Sequence, residues 1–122
     1  MDLELLQMEI YDLLKDYNTF LDEIPLLDEN NKELDYQNKI YISYCFRGIS
    51  DGMYRKDISL DINLVTNTKN KISLQKQAIE IDEKLNRKML TNSRIVRQNG
   101  WYVNFKEDEK ENIILQYFLI TY

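Results

Sequence analysis

The sequence predicts an α+β fold, in which a mostly antiparallel sheet of four to five strands packs with two main helices in the order α-β-β-α-β-β. Three patterns indicate this fold. Apolar residues recur with helical spacing in two segments, apolar and polar residues alternate strictly in a third, and short links between predicted strands favour antiparallel pairing. The 122 residues match the usual size of one domain, so we predict a single domain over residues 1–122.

The first element is predicted to be an amphipathic helix from Leu3 to Tyr17, because its apolar side chains recur every three or four residues. Asp2 is placed to cap its first turn. Residues 18–38 are polar and acidic and contain Pro25, which cannot donate to a central strand ladder. We predict a loop there, with at most one short edge strand.

Two strands are predicted next. Residues 39–46 are rich in β-branched and aromatic side chains and are followed by a turn-like segment, residues 47–52. In residues 57–64, Ile58, Leu60, Ile62 and Leu64 alternate with polar residues, which predicts one buried and one solvated face.

A second helix is predicted from Lys71 to Leu90, with Asn70 or Ser73 as its cap. Asn99-Gly100 then favours a tight hairpin between strands at residues 94–98 and 101–105. The last strand, residues 112–122, is apolar on both faces, with Tyr122 at its end, so we expect it to be covered on both sides. Either a neighbouring subunit covers the second side, or the two helices lie on opposite faces of the sheet.

Charge is distributed unevenly along the chain. Residues 1–36 carry two basic and eleven acidic side chains, whereas residues 69–97 carry eight basic and three acidic ones. A chain with unlike charged regions can dock onto copies of itself head to tail, although two differently charged solvated faces would give the same pattern.

Residues suited to catalysis or metal binding are scarce. The chain has no histidine, three isolated glycines and one cysteine, Cys45, in an apolar run where we predict it to be buried. Asp57 and Asp61 share one strand face, but they are about 13 Å apart at a rise of ~3.3 Å per residue, which is too far for a shared metal. We therefore predict no enzyme activity, no cofactor, no metal site and solvated roles for both carboxylates.

Two further classes of partner are disfavoured. No segment approaches the roughly 18 apolar residues that suggest a membrane span, and the first residues lack the pattern of a signal peptide. The basic second helix and nine tyrosines could bind nucleic acid, but the net charge of −5 argues against it.

Three segments resemble the tail terminator or tail completion proteins of long-tailed, siphovirus-like bacteriophages. They are the opening MDLELLQMEIYDLLKDYN, the strand-to-helix run YRKDISLDINLVTNTKNKISLQKQAIEIDEKLNR, and the closing WYVNFKEDEKENIILQYFLITY. The likeness spans most of the chain and is one of pattern and element order. It implies a non-enzymatic structural protein of the virion, at the head-proximal end of the tail, that is made and assembled in the host cytoplasm.

The resemblance also implies partners. Such a subunit forms a ring with copies of itself, commonly a hexamer, which stops polymerisation of the tail tube protein and contacts the head-completion protein. A head-to-tail ring needs two unlike surfaces. For this interface we predict a basic group on the second helix facing an acidic group on a neighbour: Lys84, Arg87 and Lys88 against Asp22, Glu23, Asp28 and Glu29.

Two alternatives to a tail terminator stay open. Another head–tail connector protein would have similar size and no catalytic residues. A small intracellular regulator that binds one protein partner would use the same acidic surface, but it would be a monomer or dimer and form no ring.

Overall fold

A computed structural model describes residues 3–121 of the chain. The predicted capping role of Asp2 and the predicted strand position of Tyr122 lie outside these residues. The elements follow in the order α1 (Leu3–Leu14), β1 (Asn18–Leu21), β2 (Tyr41–Asp51), β3 (Lys56–Asn67), a 3₁₀ turn (Thr68–Asn70), α2 (Lys71–Leu85), β4 (Arg94–Glu107) and β5 (Lys110–Thr121).

The five strands form one sheet in the order β1-β2-β3-β5-β4. β1 runs parallel to β2, and every other neighbouring pair is antiparallel. The predicted α+β class and mostly antiparallel sheet are therefore confirmed. The predicted order lacked β1, so the observed order is α-β-β-β-α-β-β.

One hydrophobic core lies between the sheet and the helices. The alternating residues of β3, from Ile58 to Leu64, are fully buried, as the pattern predicts. Leu6, Ile10 and Leu14 of α1 belong to the same core as the buried residues of α2, and α2 packs on β3 and β5. Both helices therefore cover the same face, and the alternative of helices on opposite faces is wrong.

The acidic segment before β2 is an irregular loop apart from β1. It is held against the end of β3, because the Thr66 hydroxyl lies 3.1 Å from the carbonyl oxygen of Tyr36 and 2.9 Å from that of Lys39. Asn70 donates to the carbonyl of Gln37 at 2.9 Å. Asn70 is at the N-cap position of α2, as predicted, but its side chain holds the loop and makes no capping hydrogen bond; Ser73 lies inside α2.

Both helices are shorter than predicted. α1 ends at Leu14, whose carbonyl accepts from the Thr19 hydroxyl at 2.7 Å. α2 ends at Leu85, because the backbone of its C-cap residue Asn86 is extended, with a ψ of 125°, and Arg87 then adopts a positive φ of 66°. Met89, which has helical spacing in the sequence, is consequently exposed beyond the helix.

The predicted hairpin at Asn99-Gly100 is wrong. Residues 94–107 form the single strand β4, and Asn99 and Gly100 lie in a bulge where the register against β5 shifts between Arg97 and Tyr102. A positive φ, here 66° at Gly100, suits a bulge as well as a turn. The tight turn is at Asp108 and Glu109, which have φ values of 50° and 63° and join β4 to β5.

The strand predicted at residues 39–46 extends further. β2 continues through a bulge between Phe46 and Gly48 to Asp51, so most of the predicted turn at residues 47–52 is strand. The β2–β3 hairpin closes where the Gly52 amide donates to the carbonyl of Arg55 at 2.8 Å.

Candidate functional site

The sheet face opposite the helices, called here the open sheet face, is not covered by either helix. Its rows follow from the strand register: polar residues of β3 run down the middle, and apolar residues of β5 and β4 lie beside them. The apolar members are Val96, Val103, Phe105, Ile114, Phe118 and Ile120. The helices thus cover only one side of β5. We predicted that β5 is covered on both sides, but neither helix covers its second side.

One corner of the open sheet face is covered by the chain itself. Tyr41 of β2 packs against Phe20 and Tyr36, with ring centroids 6.2 and 5.1 Å away. Its hydroxyl oxygen accepts from the Asp35 amide at 3.0 Å. The loop before β2 therefore lies over the β1–β2 corner, which the polar row of β3 separates from the apolar rows of β5 and β4.

The two carboxylates singled out in the sequence lie on the open sheet face. Asp57 pairs with Arg55 at 3.1 Å and Asp61 pairs with Arg47 at 3.0 Å. Their side chains are mostly buried, so the expectation of solvated carboxylates is wrong: each is neutralised by a neighbouring arginine. Among residues 3–121, no group of three or more His, Cys, Asp or Glu is placed to hold a metal ion.

A buried carboxylate that sequence reasoning missed is Asp82, whose residue exposure is 3%. The Tyr117 hydroxyl donates to Asp82 Oδ1 at 2.8 Å, Arg97 Nε donates to the same oxygen at 3.1 Å, and Arg97 Nη2 pairs with Oδ2. The Trp101 ring lies 4.0 Å from the guanidinium carbon. Burial, followed by the bond to Asp82, raises the pKa of Tyr117 far above its ordinary value.

This cluster links α2 to β4 and β5, and both carboxylate oxygens of Asp82 accept hydrogen bonds. It is therefore a structural crosslink. The sequence did carry a signal for it, since Asp82 is four residues from Ala78 and falls on the buried stripe of α2.

The predicted basic group lies at the C-terminal end of α2 and just beyond it. Arg87 and Lys88 are exposed, and their backbone bonds to Ile95 place them beside β4. Lys84 has an intramolecular role, because its ammonium lies 4.7 Å from the Tyr17 ring centroid. A hydrogen bond to Tyr17 raises the pKa of Lys84.

The predicted acidic group follows β1. Asp22 ends that strand with a φ of 68°, and its amide donates to the Tyr44 carbonyl at 2.8 Å, while Glu23 beside it is exposed. Asp28 accepts from the amides of Asn30 and Lys32 at 2.8 and 2.9 Å, so its carboxylate closes a turn. Glu29 is exposed in that turn.

The structure keeps these two groups apart. The acids follow β1 at one edge of the sheet, and Arg87 and Lys88 adjoin β4 at the other edge. Unlike charges at opposite edges suit contacts between copies of the chain better than contacts within one copy.

No protein-family model matches the chain, and no curated protein matches it either. Within the part of the chain that the structure describes, no helix is long and apolar enough to cross a membrane.

Proposed function

We propose that this chain is a structural assembly protein of a virion, a tail terminator that forms a ring with copies of itself, caps the tail tube and joins it to the head-completion protein. The observation that carries the proposal is the one-sided packing of the sheet. Both helices lie on one face, so the apolar rows of β4 and β5, in which Val103 and Phe105 are exposed and Ile120 is buried, are in part available to another chain.

The charge distribution supports the same proposal. Asp22 and Glu23 follow one edge strand, and Arg87 and Lys88 adjoin the other. A subunit with different surfaces at its two edges makes head-to-tail contacts. These contacts close into a ring when a whole number of equal rotations from one copy to the next makes a full turn. Lys84 and Asp28 make contacts within the chain. The attraction between copies is therefore carried by the remaining charged residues of the predicted interface: Arg87, Lys88, Asp22, Glu23 and Glu29.

Light scattering on the purified chain, over a range of protein and salt concentrations, tests this proposal. We expect a species of about six subunits that dissociates as salt screens the charged edges. Added to polymerising tail tubes, the chain should shorten them. A chain that stays monomeric throughout and leaves tube length unchanged would contradict the proposal.

A head–tail connector is the second candidate, because the same one-sided sheet and unlike edges would serve a subunit placed between head and tail. It predicts binding to head proteins with no effect on tube length. A protein-binding regulator is favoured only by the exposed leucines of the acidic loop, Leu26 and Leu27, and it predicts a stable monomer or dimer.

A further inference from the structure

The hairpin between β2 and β3 ends in two large apolar side chains that contact almost nothing. Met53 is 87% exposed and Tyr54 is 84% exposed, and Ile49 on the same hairpin is also exposed. We call residues 52–55 the hairpin tip. Single exposed apolar residues are common on protein surfaces, but adjacent ones at a projecting turn form a patch that a partner can bury.

A cleft of about 540 Å³ lies between the loop before β2 and the β4–β5 turn. Leu26, in its lining, is 91% exposed. The volume of the cleft is within the range of roughly 300–1,000 Å³ that is typical of binding pockets. We call it the leucine–carboxylate cleft after the residues that matter here: Leu26, Leu27, Glu33, Asp35, Asp108 and Glu109.

The tip and the cleft are at opposite ends of the sheet. Lys56, next to the tip, starts β3, and Asn67, which lines the cleft, ends it. At a rise of ~3.3 Å per residue the twelve-residue strand is about 40 Å long. The tip of one molecule therefore cannot enter its own cleft, but it can reach the cleft of a second molecule.

The charged residues near the tip and the cleft also differ in sign, and the basic ones lie at the tip end. Arg94 pairs with Ile120 in the sheet and forms a bridge with Met89, so Arg87, Lys88 and Arg94 lie at the tip end. None of these three forms an ion pair with any residue in the range 3–121.

The cleft end has the opposite character. Glu33, Asp35, Asp108 and Glu109 are exposed and form no ion pair within the described range. The one lysine of the cleft, Lys110, is 4.3 Å from the Tyr36 ring centroid. An apolar and basic end thus matches an apolar and acidic end in the same chain.

We propose that copies of this chain associate head to tail, with the hairpin tip of one copy seated in the leucine–carboxylate cleft of the next. The inference rests on the proposed self-assembly and names its contact. Met53 and Tyr54 pack on Leu26 and Leu27. The unpaired Arg87, Lys88 and Arg94 of the tip end face the carboxylates around the cleft, so in this contact those carboxylates replace Asp22 and Glu23 as the acidic partners of Arg87 and Lys88. The contact joins unlike surfaces, so an open row of copies retains one free tip at one end and one free cleft at the other until a ring closes.

Two variants test this contact. The tip variant, Met53→Ser with Tyr54→Ser, and the cleft variant, Leu26→Ser with Glu33→Lys, change only exposed side chains, so both should fold like the parent chain. The matched control is Met8→Ser with Ile79→Ser, which removes exposed apolar side chains from the outer faces of the helices. Circular dichroism and urea unfolding check that every variant is folded.

Analytical ultracentrifugation then measures mass at a concentration where the parent chain assembles. We expect each variant alone to be a monomer, the control to assemble like the parent, and an equal mixture of tip and cleft variants to form a dimer that grows no further. The mixture stops there because it has only one intact tip–cleft pair.

The possible failures are distinguishable. A parent that assembles together with variants that assemble equally well would overturn the tip–cleft contact and leave the proposed function standing. A mixture that stays monomeric would also overturn the contact. A parent chain that is monomeric at every concentration would overturn the tip–cleft contact, and it would overturn the proposed function as well if it also left tube length unchanged.

Discussion

Asp82 is a buried carboxylate whose two oxygens both have donors. It is a carboxylate on the buried stripe of α2, and it is retained there because Arg97 supplies the opposite charge and Tyr117 a hydroxyl donor. A buried charge without such partners is costly, so the three side chains function as one unit.

Replacing Asp82 with alanine should lower the free energy of unfolding by about 2–4 kcal/mol, because it leaves the buried Tyr117 hydroxyl without an acceptor and removes the carboxylate partner of Arg97. Urea unfolding measures the change. Glu83→Ala, at the exposed neighbouring position, is the matched control and should change stability by less than about 0.5 kcal/mol. Equal effects of the two substitutions would contradict a structural role for the Asp82 cluster.

Tyr117 should make the protein less stable in alkali. Burial and the Asp82 carboxylate raise its pKa in the folded state, so above the unfolded value of about 10 the unfolded chain loses this proton first. The contribution is complete below about pH 10 and is lost as the pH rises further. Urea midpoints from about pH 8 to about pH 11 should fall, and less steeply in Tyr117→Phe.

That slope should not vanish completely in Tyr117→Phe, because burial also raises the pKa of Tyr17, Tyr36, Tyr44 and Tyr102. A variant with the same alkaline slope as the parent would contradict the assignment to Tyr117.

The Asp82 cluster also shows what residue patterns can predict. Helical spacing places Asp82 on the buried stripe, so its burial was predictable. Its partners were not, because Arg97 and Tyr117 are on strands whose register depends on the bulge in β4. The pairing of Asp61 with Arg47 was missed for a similar reason, since Arg47 is on the neighbouring strand β2, at the bulge between Phe46 and Gly48.

At the scale of secondary structure elements, local patterns predicted which segments form helices and strands better than where the chain turns. β3 and α2 each bury one face against the core, so their apolar residues recur with strand and helix spacing, and this spacing is visible in the sequence. Asn99-Gly100 permits a positive φ but does not determine whether the strand reverses there. The chain instead turns at Asp108-Glu109, where flanking pairs such as Glu107 with Lys110 close the ladder.

Replacing Gly100 with alanine should lower stability by about 1 kcal/mol, because its φ of 66° is unfavourable for a residue with a Cβ atom. No atom lies within 4 Å of the added methyl, so the effect would come from the backbone alone. Gly48→Ala is the matched control, since it also adds a methyl into open space without a positive φ. Thermal or urea unfolding of both variants measures the difference, and equal stability would show that the bulge tolerates a left-handed alanine.

At the scale of the whole molecule, unlike charges occupy opposite edges of the sheet, and the helices leave one sheet face open. Neither arrangement was predictable from the sequence alone. The segment charges were visible there, but the strand order β1-β2-β3-β5-β4 is what separates them in space. The sequence also left open whether the helices share a face, because apolar spacing does not say which side of a sheet a helix packs on.

Charge reversal at Arg87 and Lys88, to glutamate, should weaken self-association at least tenfold at low salt and have less effect at high salt, where the charges are already screened. Sedimentation at several salt concentrations measures this. Lys76→Glu with Lys71→Glu is the matched control, because these exposed lysines lie elsewhere on α2. An unchanged association constant and an unchanged salt dependence would exclude this basic group from the interface.

The position of β5 inside the sheet has a consequence for synthesis of the protein on the ribosome. β5 follows β4 in the chain, yet it lies between β3 and β4 and is the strand that joins them. Until it is made, β3 lacks one neighbour and β4 has no partner strand at all, so the apolar row from Ile58 to Leu64 is incompletely covered. Newly made chains therefore expose an unpaired edge of β3 and an unpaired β4 until residues 110–121 emerge and insert between them.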